Sequence, residues 1–160
     1  MLFRSAGALS EHVGLAMNAS GPPRRELDIG AYVVGVAFDA AGKTLALSTG
    51  GGRILFLPSD PNGTEVPREV AAHAGASLCF ARGIDGAGFV SGGDDGRLVA
   101  VTDDGAVSEL VQARGKWFES VAVHTARRLV AAGVGKFVHL VTDGGTHVLG
   151  PHPSTVADVG

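Results

Sequence analysis

The stretch from Ser77 to Gly105, SLCFARGIDGAGFVSGGDDGRLVAVTDDG, constrains the fold more than any other part of the chain. It holds three short apolar segments, Leu78 to Ala81, Phe89 to Ser91 and Leu98 to Thr102. Each is closed by a turn signal: Ile84-Asp85-Gly86, then Gly92-Gly93-Asp94-Asp95-Gly96, then Asp103-Asp104-Gly105. Asp-Gly between apolar runs supplies the positive φ that tight primed turns demand. The pattern predicts a three-strand antiparallel meander.

The same meander recurs on both sides. Its third strand reads Gly52-Arg53-Ile54-Leu55-Phe56-Leu57, then Gly96-Arg97-Leu98-Val99-Ala100-Val101, then Gly135-Lys136-Phe137-Val138-His139-Leu140, at intervals of 44 and 39 residues. The first strand recurs as Val36-Ala37-Phe38, Leu78-Cys79-Phe80 and Val121-Ala122-Val123. A further hairpin follows each third strand and leads to a fourth, seen in Val107 to Val111 and Thr146 to Leu149. A four-strand unit with a period near 40 predicts an all-β fold of propeller blades.

The unit resembles the WD-repeat family of β-propellers. That family has a Gly-His pair before the first strand, an Asp in the turn before the third, and a Trp-Asp pair ending the third. The second copy offers His73, Ser91 and Asp95 at such places, and Gly150-Pro151-His152 precedes a fourth copy. The Trp position is taken by Leu57, Val101 and Leu140, and the turn Asp by Gly51 and Val134 in the outer copies. The resemblance covers residues 31–160. It implies a structural network around His73, Ser91, Asp95 and His152. It also implies a clasp role for Glu26 to Ile29, a strand that would complete the last blade.

Residues 1–30 stand outside the repeat. Met1 to Ala16 carries a weak helical spacing, interrupted by Glu11 and His12 so that it does not form the apolar core of a secretory signal. It reads as a short amphipathic helix or a disordered tail. Met1-Leu2-Phe3-Arg4-Ser5 matches one reading frame of a common sequencing-library adapter. Asn18 to Arg25 is a turn-rich linker. The blades follow at about 31–70, 73–113 and 116–150, with Ser154 to Gly160 as the first strand of a fourth. Pro67 cannot donate to a ladder and marks the fourth strand of the first blade as an edge.

Three blades fall short of the usual ring of roughly 4–8. An open blade face of about 400–500 Å² left in water forgoes roughly 10 kcal/mol at ~25 cal/mol/Å². The expectation is therefore a piece of a longer propeller, or a half-ring closed by self-association. The end of the chain inside a strand pattern favours the first.

Composition excludes several classes. A formal net charge of −3 gives no basic field for nucleic acid or anionic lipid. No apolar run approaches the ~20 residues of a membrane-spanning helix. The single cysteine, Cys79, permits neither an intrachain disulfide nor a thiolate zinc cluster, and packs as a small hydrophobe. The paired acids Asp94-Asp95 and Asp103-Asp104 lack the spacing of a calcium loop and serve as turn residues. No histidines pair at helical metal spacing, and no serine sits in a nucleophile elbow. No metal or other cofactor is expected.

Two function classes remain. The favoured one is a non-catalytic interaction scaffold with an unidentified protein partner, cytoplasmic and bacterial to judge by low lysine content and the lack of paired cysteines. Its interaction rim would hold Arg53, Arg97 and Lys136, which recur at one position, with Trp117 as an anchor. The other is a propeller enzyme such as a metal-dependent hydrolase. That class gathers carboxylates or imidazoles on its inner strands, and the inner-strand residues here are apolar.

Overall fold

The computed structural model of the chain describes residues 13–16, 24–60, 62–85 and 88–159. After a two-strand hairpin of β1 (Val13–Ala16) and β2 (Arg24–Leu27), the strands group into three antiparallel sheets of four. The first sheet holds β3 (Val33–Phe38), β4 (Thr44–Thr49), β5 (Arg53–Pro58) and β6 (Arg68–Ala71). The second holds β7 (Ser77–Arg82), β8 (Gly88–Gly93), β9 (Arg97–Thr102) and β10 (Val107–Gln112). The third holds β11 (Ser120–His124), β12 (Leu129–Val134), β13 (Phe137–Thr142) and β14 (Gly145–Leu149). Strand order follows chain order in every sheet. The first strands lie side by side, β3 against β7 and β7 against β11. These are propeller-type blades stacked about their inner strands, and the ring is open. Among the described residues no helix is long and apolar enough to cross a membrane.

The recurring Gly before the third strand has a steric cause. Gly52 (φ 75°) and Gly96 (φ 74°) occupy the left-handed region. A Cβ at Gly52 would lie 2.1 Å from the Gly75 carbonyl oxygen, and one at Gly96 would lie 2.5 Å from that of Ala113. The backbone leaving the fourth strand crosses here and bonds to the turn. Ala72 and His73 donate their N–H groups to Gly52 O, and Ala113 donates to Gly96 O. Only glycine tolerates both the dihedral and the close approach.

Pairing corrects two details of the repeat. Gly35 pairs with Ser48, Cys79 with Gly92, and Ser120 with Gly133, so Val36, Phe80 and Val121 are the equivalent residues. The same irregularity occurs between Val33 and Gly35 and between Ser77 and Cys79, so it shifts neither copy against the other; the apparent match of Phe38 with Phe80 is two residues out, and Phe38 is equivalent to Arg82. A two-residue shift keeps each side chain on its face. In the third sheet the turn is shorter, and Lys136 sits in it while Phe137 opens the strand. That one-residue slip exchanges the faces, as the period of two requires. His139 and Val141 accordingly face the second sheet, and Val138 and Leu140 face away.

The core lies between the sheets. Ala46, Ile54 and Phe56 of the first pack against Phe89, Val99 and Val101 of the second. The rings of Phe56 and Phe80 lie 5.6 and 5.5 Å from that of Phe89. Cys79, Val90 and Leu98 pack against Phe118, Val130, Ala132 and Val134. Each such large side chain contributes about 1.5–3 kcal/mol on full burial. Both faces of β5 are buried from Ile54 to Leu57.

The ends depart from expectation. Val13–Ala16 is a strand, not part of a helix, and residues 1–12 lie outside the described set. Arg24–Leu27 pairs with β1 and not with a blade, so Glu26 to Ile29 is not a clasp strand. Its continuation, Leu27 and Ile29, lies over the outer face of the first sheet beside Phe38, Leu45, Leu47 and Leu57, with a 320 Å³ groove between them. Residues 154–159 form no strand, and Val156 N–H donates to Gly135 O. Gly160 lies outside the described residues. The edge strand of the first sheet begins at Arg68, just after Pro67.

Candidate functional site

One end of the stack gathers the start of every first strand, the turn before every third strand and the end of every fourth. His73 lies here, on the segment joining β6 to β7. Its ring is held between the turn and the second strand: Nδ1 is 3.0 Å from Asp95 Oδ1 and Nε2 is 3.0 Å from Ser91 Oγ. Ser91 Oγ is also 3.3 Å from the Cys79 carbonyl oxygen. Asp95 accepts from the N–H groups of Ala74 at 3.1 Å and Arg97 at 3.1 Å. Asp94 accepts from Ala76 N–H at 2.8 Å. Two consecutive turn aspartates thus pin the incoming segment, which explains the Asp94-Asp95 pair without a metal.

The electrostatics follow from burial. Desolvation holds His73 below its usual range, against the opposing pull of Asp95. Burial also works to raise Asp95, but the N–H groups of Ala74 and Arg97 and the His73 ring outweigh it and lower its pKa. His73 thus bridges Asp95 through Nδ1 and Ser91 Oγ through Nε2, and the Ser91 hydroxyl also reaches the Cys79 carbonyl as a donor. The order serine, histidine, aspartate is that of a nucleophilic triad. Here the serine is fully buried and the His73 side chain has no exposure. The three side chains brace the turn, the incoming segment and the second strand against one another. Cys79, likewise buried, donates Sγ–H to the Phe118 carbonyl, and desolvation pushes its thiol up to about 12. It is inert as a nucleophile.

The rim cations divide. Arg53 pairs with Glu69, and Arg97 Nε lies 2.9 Å from Glu109 Oε2. Glu69 stands opposite Leu55 and Glu109 opposite Val99, so the two pairs are the same rung in successive sheets. Sequence reasoning missed these glutamates. The signal was present: a Glu on the fourth strand follows the turn arginine in both copies. Lys136 sits in the shorter turn, exposed, and its carbonyl accepts from His152 N–H at 2.8 Å. His152 is exposed and does not join the His73 network.

Trp117 is 58% exposed, while its neighbour Phe118 is fully buried. Phe118 N–H donates to Gly93 O, and this bond fixes where Trp117 emerges. Tyr32, 79% exposed, immediately precedes β3 and donates no bulk to the core. Val33 pairs with Thr49 and Ser77 with Gly93, so Tyr32 and Ala76 hold the same position in the first two sheets, while Trp117 lies shortly before Ser120, where the third ladder begins, at the same end of the stack. Arg114 and Lys116 are exposed beside Trp117. His139 packs edge-on against Phe118 at 5.8 Å, and desolvation lowers its pKa. Among the described residues no group of three or more His, Cys, Asp or Glu side chains is arranged to hold a metal ion.

Neither a family model nor a curated protein sequence matches this chain.

Proposed function

We propose that this chain is a non-catalytic protein-interaction scaffold of the WD-repeat kind, and that it presents the turn rim to an acidic protein partner. The observation that carries this reading is the pair of exposed aromatics, Tyr32 and Trp117, each shortly before the first strand of its sheet at one end of the stack. Exposed tyrosine and tryptophan on a rigid backbone are the side chains that dominate interface energetics. Arg114, Lys116 and Lys136 add positive charge at the same end, which favours encounter with an acidic surface. The side chains with catalytic potential support the reading in another way. His73, Ser91 and Asp95 are engaged with one another and with the backbone.

The test is affinity capture with the purified chain and with Trp117→Ala, followed by reconstitution with the purified captured protein. The scaffold reading expects one acidic protein that binds the native chain, at least tenfold more weakly binds Trp117→Ala, and loses affinity with salt. Equal binding by both chains, with the melting temperature unchanged, refutes the rim as the docking surface.

A further inference from the structure

The connection from β5 to β6 holds the only Asn-Gly pair in the chain, Asn62-Gly63. Its turn is held by main-chain donors. Asn62 N–H donates to Asp60 Oδ1 at 2.9 Å, and Gly63 N–H donates to the Asp60 carbonyl at 3.1 Å. An aspartate that accepts from the residue two further on is ordinary turn chemistry. Asn62 is exposed, as are Thr64, Glu65 and Val66 after it, and residues 63–67 belong to no strand. A connection of this kind opens and recloses at small cost, because few buried contacts hold it shut. Once it opens, Gly63 N can approach Asn62 Cγ. Glycine leaves that approach unhindered because it has no Cβ. Asparagine is among the thermally labile residues.

The same ring closure is open in principle to the Asp-Gly pairs of the chain, at Asp85, Asp95, Asp104 and Asp143. The structure restrains each of them. Arg128 Nη1 lies 2.5 Å from Asp85 Oδ1, and Arg128 Nε lies 2.6 Å from Asp143 Oδ2. Asp104 accepts from the Thr102 hydroxyl and from Ala106 N–H. Asp95 meets His73 and accepts from the N–H groups of Ala74 and Arg97. Donors and cations of this kind favour the ionised carboxylate. Asp95, Asp104 and Asp143 are accordingly held below the usual carboxylate range. An ionised carboxylate is a poor electrophile. The Asn62 amide is neutral, so no such charge protects it.

We propose that Asn62-Gly63 is a site of spontaneous main-chain modification, at which the folded chain converts its own asparagine to aspartate and isoaspartate. Gly63 N forms a bond to Asn62 Cγ, the Cγ–Nδ2 bond breaks, and the Gly63 N–H proton leaves with Nδ2 as ammonia. Water then opens the cyclic imide. Attack at Cγ gives aspartate on an ordinary backbone. Attack at the main-chain carbonyl gives isoaspartate, which carries the side-chain methylene into the backbone. Both products add a negative charge beside Asp60. Isoaspartate also lengthens the connection into β6, the edge strand that holds Arg68 and Glu69. These two residues fasten that edge, Arg68 to the carbonyls of Asp103 and Asp104 and Glu69 to Arg53. The inference rests on this turn and is independent of the rim as a docking surface.

Peptide mapping tests the proposal. The native chain is held for weeks at mildly alkaline pH and body temperature, alongside the same chain unfolded in urea. Both are then digested and mapped by mass, with an isoaspartate methyltransferase marking the isomer. The folded chain is expected to convert at Asn62, giving aspartate and methyl-accepting isoaspartate in that peptide. Gly63→Ala is expected to slow the conversion at least tenfold, and Asn62→Ser to abolish it. Both changes fall in an exposed turn and are expected to leave the melting temperature near native. An Asn62 peptide that stays unchanged in the folded chain while the unfolded chain converts overturns the proposal, since the turn then holds the pair closed. Isoaspartate appearing at Asp95, Asp104 or Asp143 as fast as at Asn62 also overturns it.

Discussion

Replacing Gly92 by alanine puts one methyl group where the second and third blades touch. Its Cβ would lie 2.5 Å from Phe118 Cβ, 2.6 Å from Cys79 Sγ and 3.1 Å from Phe118 O. Two of these neighbours belong to a residue that is fully buried and whose N–H is tied to Gly93. They cannot rotate away, so β11 must move off β8. Overpacking of this kind costs about 1–3 kcal/mol. The lost backbone freedom of glycine in the unfolded chain returns about 0.4–1 kcal/mol. The net is a loss of about 1–2 kcal/mol, or roughly 2–8 °C in melting temperature for a chain of this size. The equivalent Gly133 supplies an internal control. There the Cβ would approach the Ser120 hydroxyl and Val156 Cγ1, which lies 3.4 Å away. A hydroxyl turns aside, so Gly133→Ala is expected to cost less than half as much. Cys79→Ala removes only the sulfur contact, so it should restore little of the Gly92→Ala loss. Thermal melts of the three single variants and of the Gly92→Ala, Cys79→Ala double variant decide the matter. A Gly92→Ala melting temperature equal to or above native, or Gly133→Ala as damaging as Gly92→Ala, refutes the blade contact described here.

Three further outcomes follow from the buried polar groups of the second blade. His73→Ala strands Ser91 and Asp95 and should lower stability by about 2–4 kcal/mol in urea unfolding, with Ser91→Ala costing about 1 kcal/mol. The folded pKa of His73 lies below its ordinary 6.5, so the folded chain holds fewer protons there than the unfolded one. Its contribution is complete above pH 6.5 and is lost as pH falls from 6.5 through the folded value; Asp95, also lowered, adds its own loss below 3.8. Urea midpoints measured from pH 7.5 downward should fall over the first window for the native chain and stay flatter for His73→Ala. With its pKa near 12, the Cys79 thiol should ignore an aromatic disulfide reagent at pH 8 in the folded chain and react within seconds once unfolded.

Much of the architecture is legible in the sequence because turn chemistry is local. Asp95, Gly52 and Gly96 declare their turns through φ preference and hydrogen-bonding capacity, and the period of the blades follows from them. Register is not local in the same way. Phe38 and Phe80 look alike in the sequence, but pairing sets Phe38 opposite Leu45 and makes Arg82, opposite Phe89, its equivalent. Lys136 reads as a partner of Arg53 and Arg97 only until the shorter turn is built. The rim aromatics were half visible. Trp117 stands out as a rare residue, whereas the exposure of Tyr32 just before the first sheet emerges only from the fold. The strand at Val13–Ala16 was hidden because four residues carry too little periodicity to separate strand from helix.

The central proposal is that the serine, histidine and aspartate of the second blade hold the fold together and do no chemistry. Incubating the native chain with a fluorophosphonate probe, then measuring intact mass and mapping any adduct, tests this most directly. The account predicts an unmodified native chain, because Ser91 is fully buried with its hydroxyl engaged by His73 and the Cys79 carbonyl. An adduct at Ser91 that disappears in His73→Ala, with the chain still folded, would contradict it.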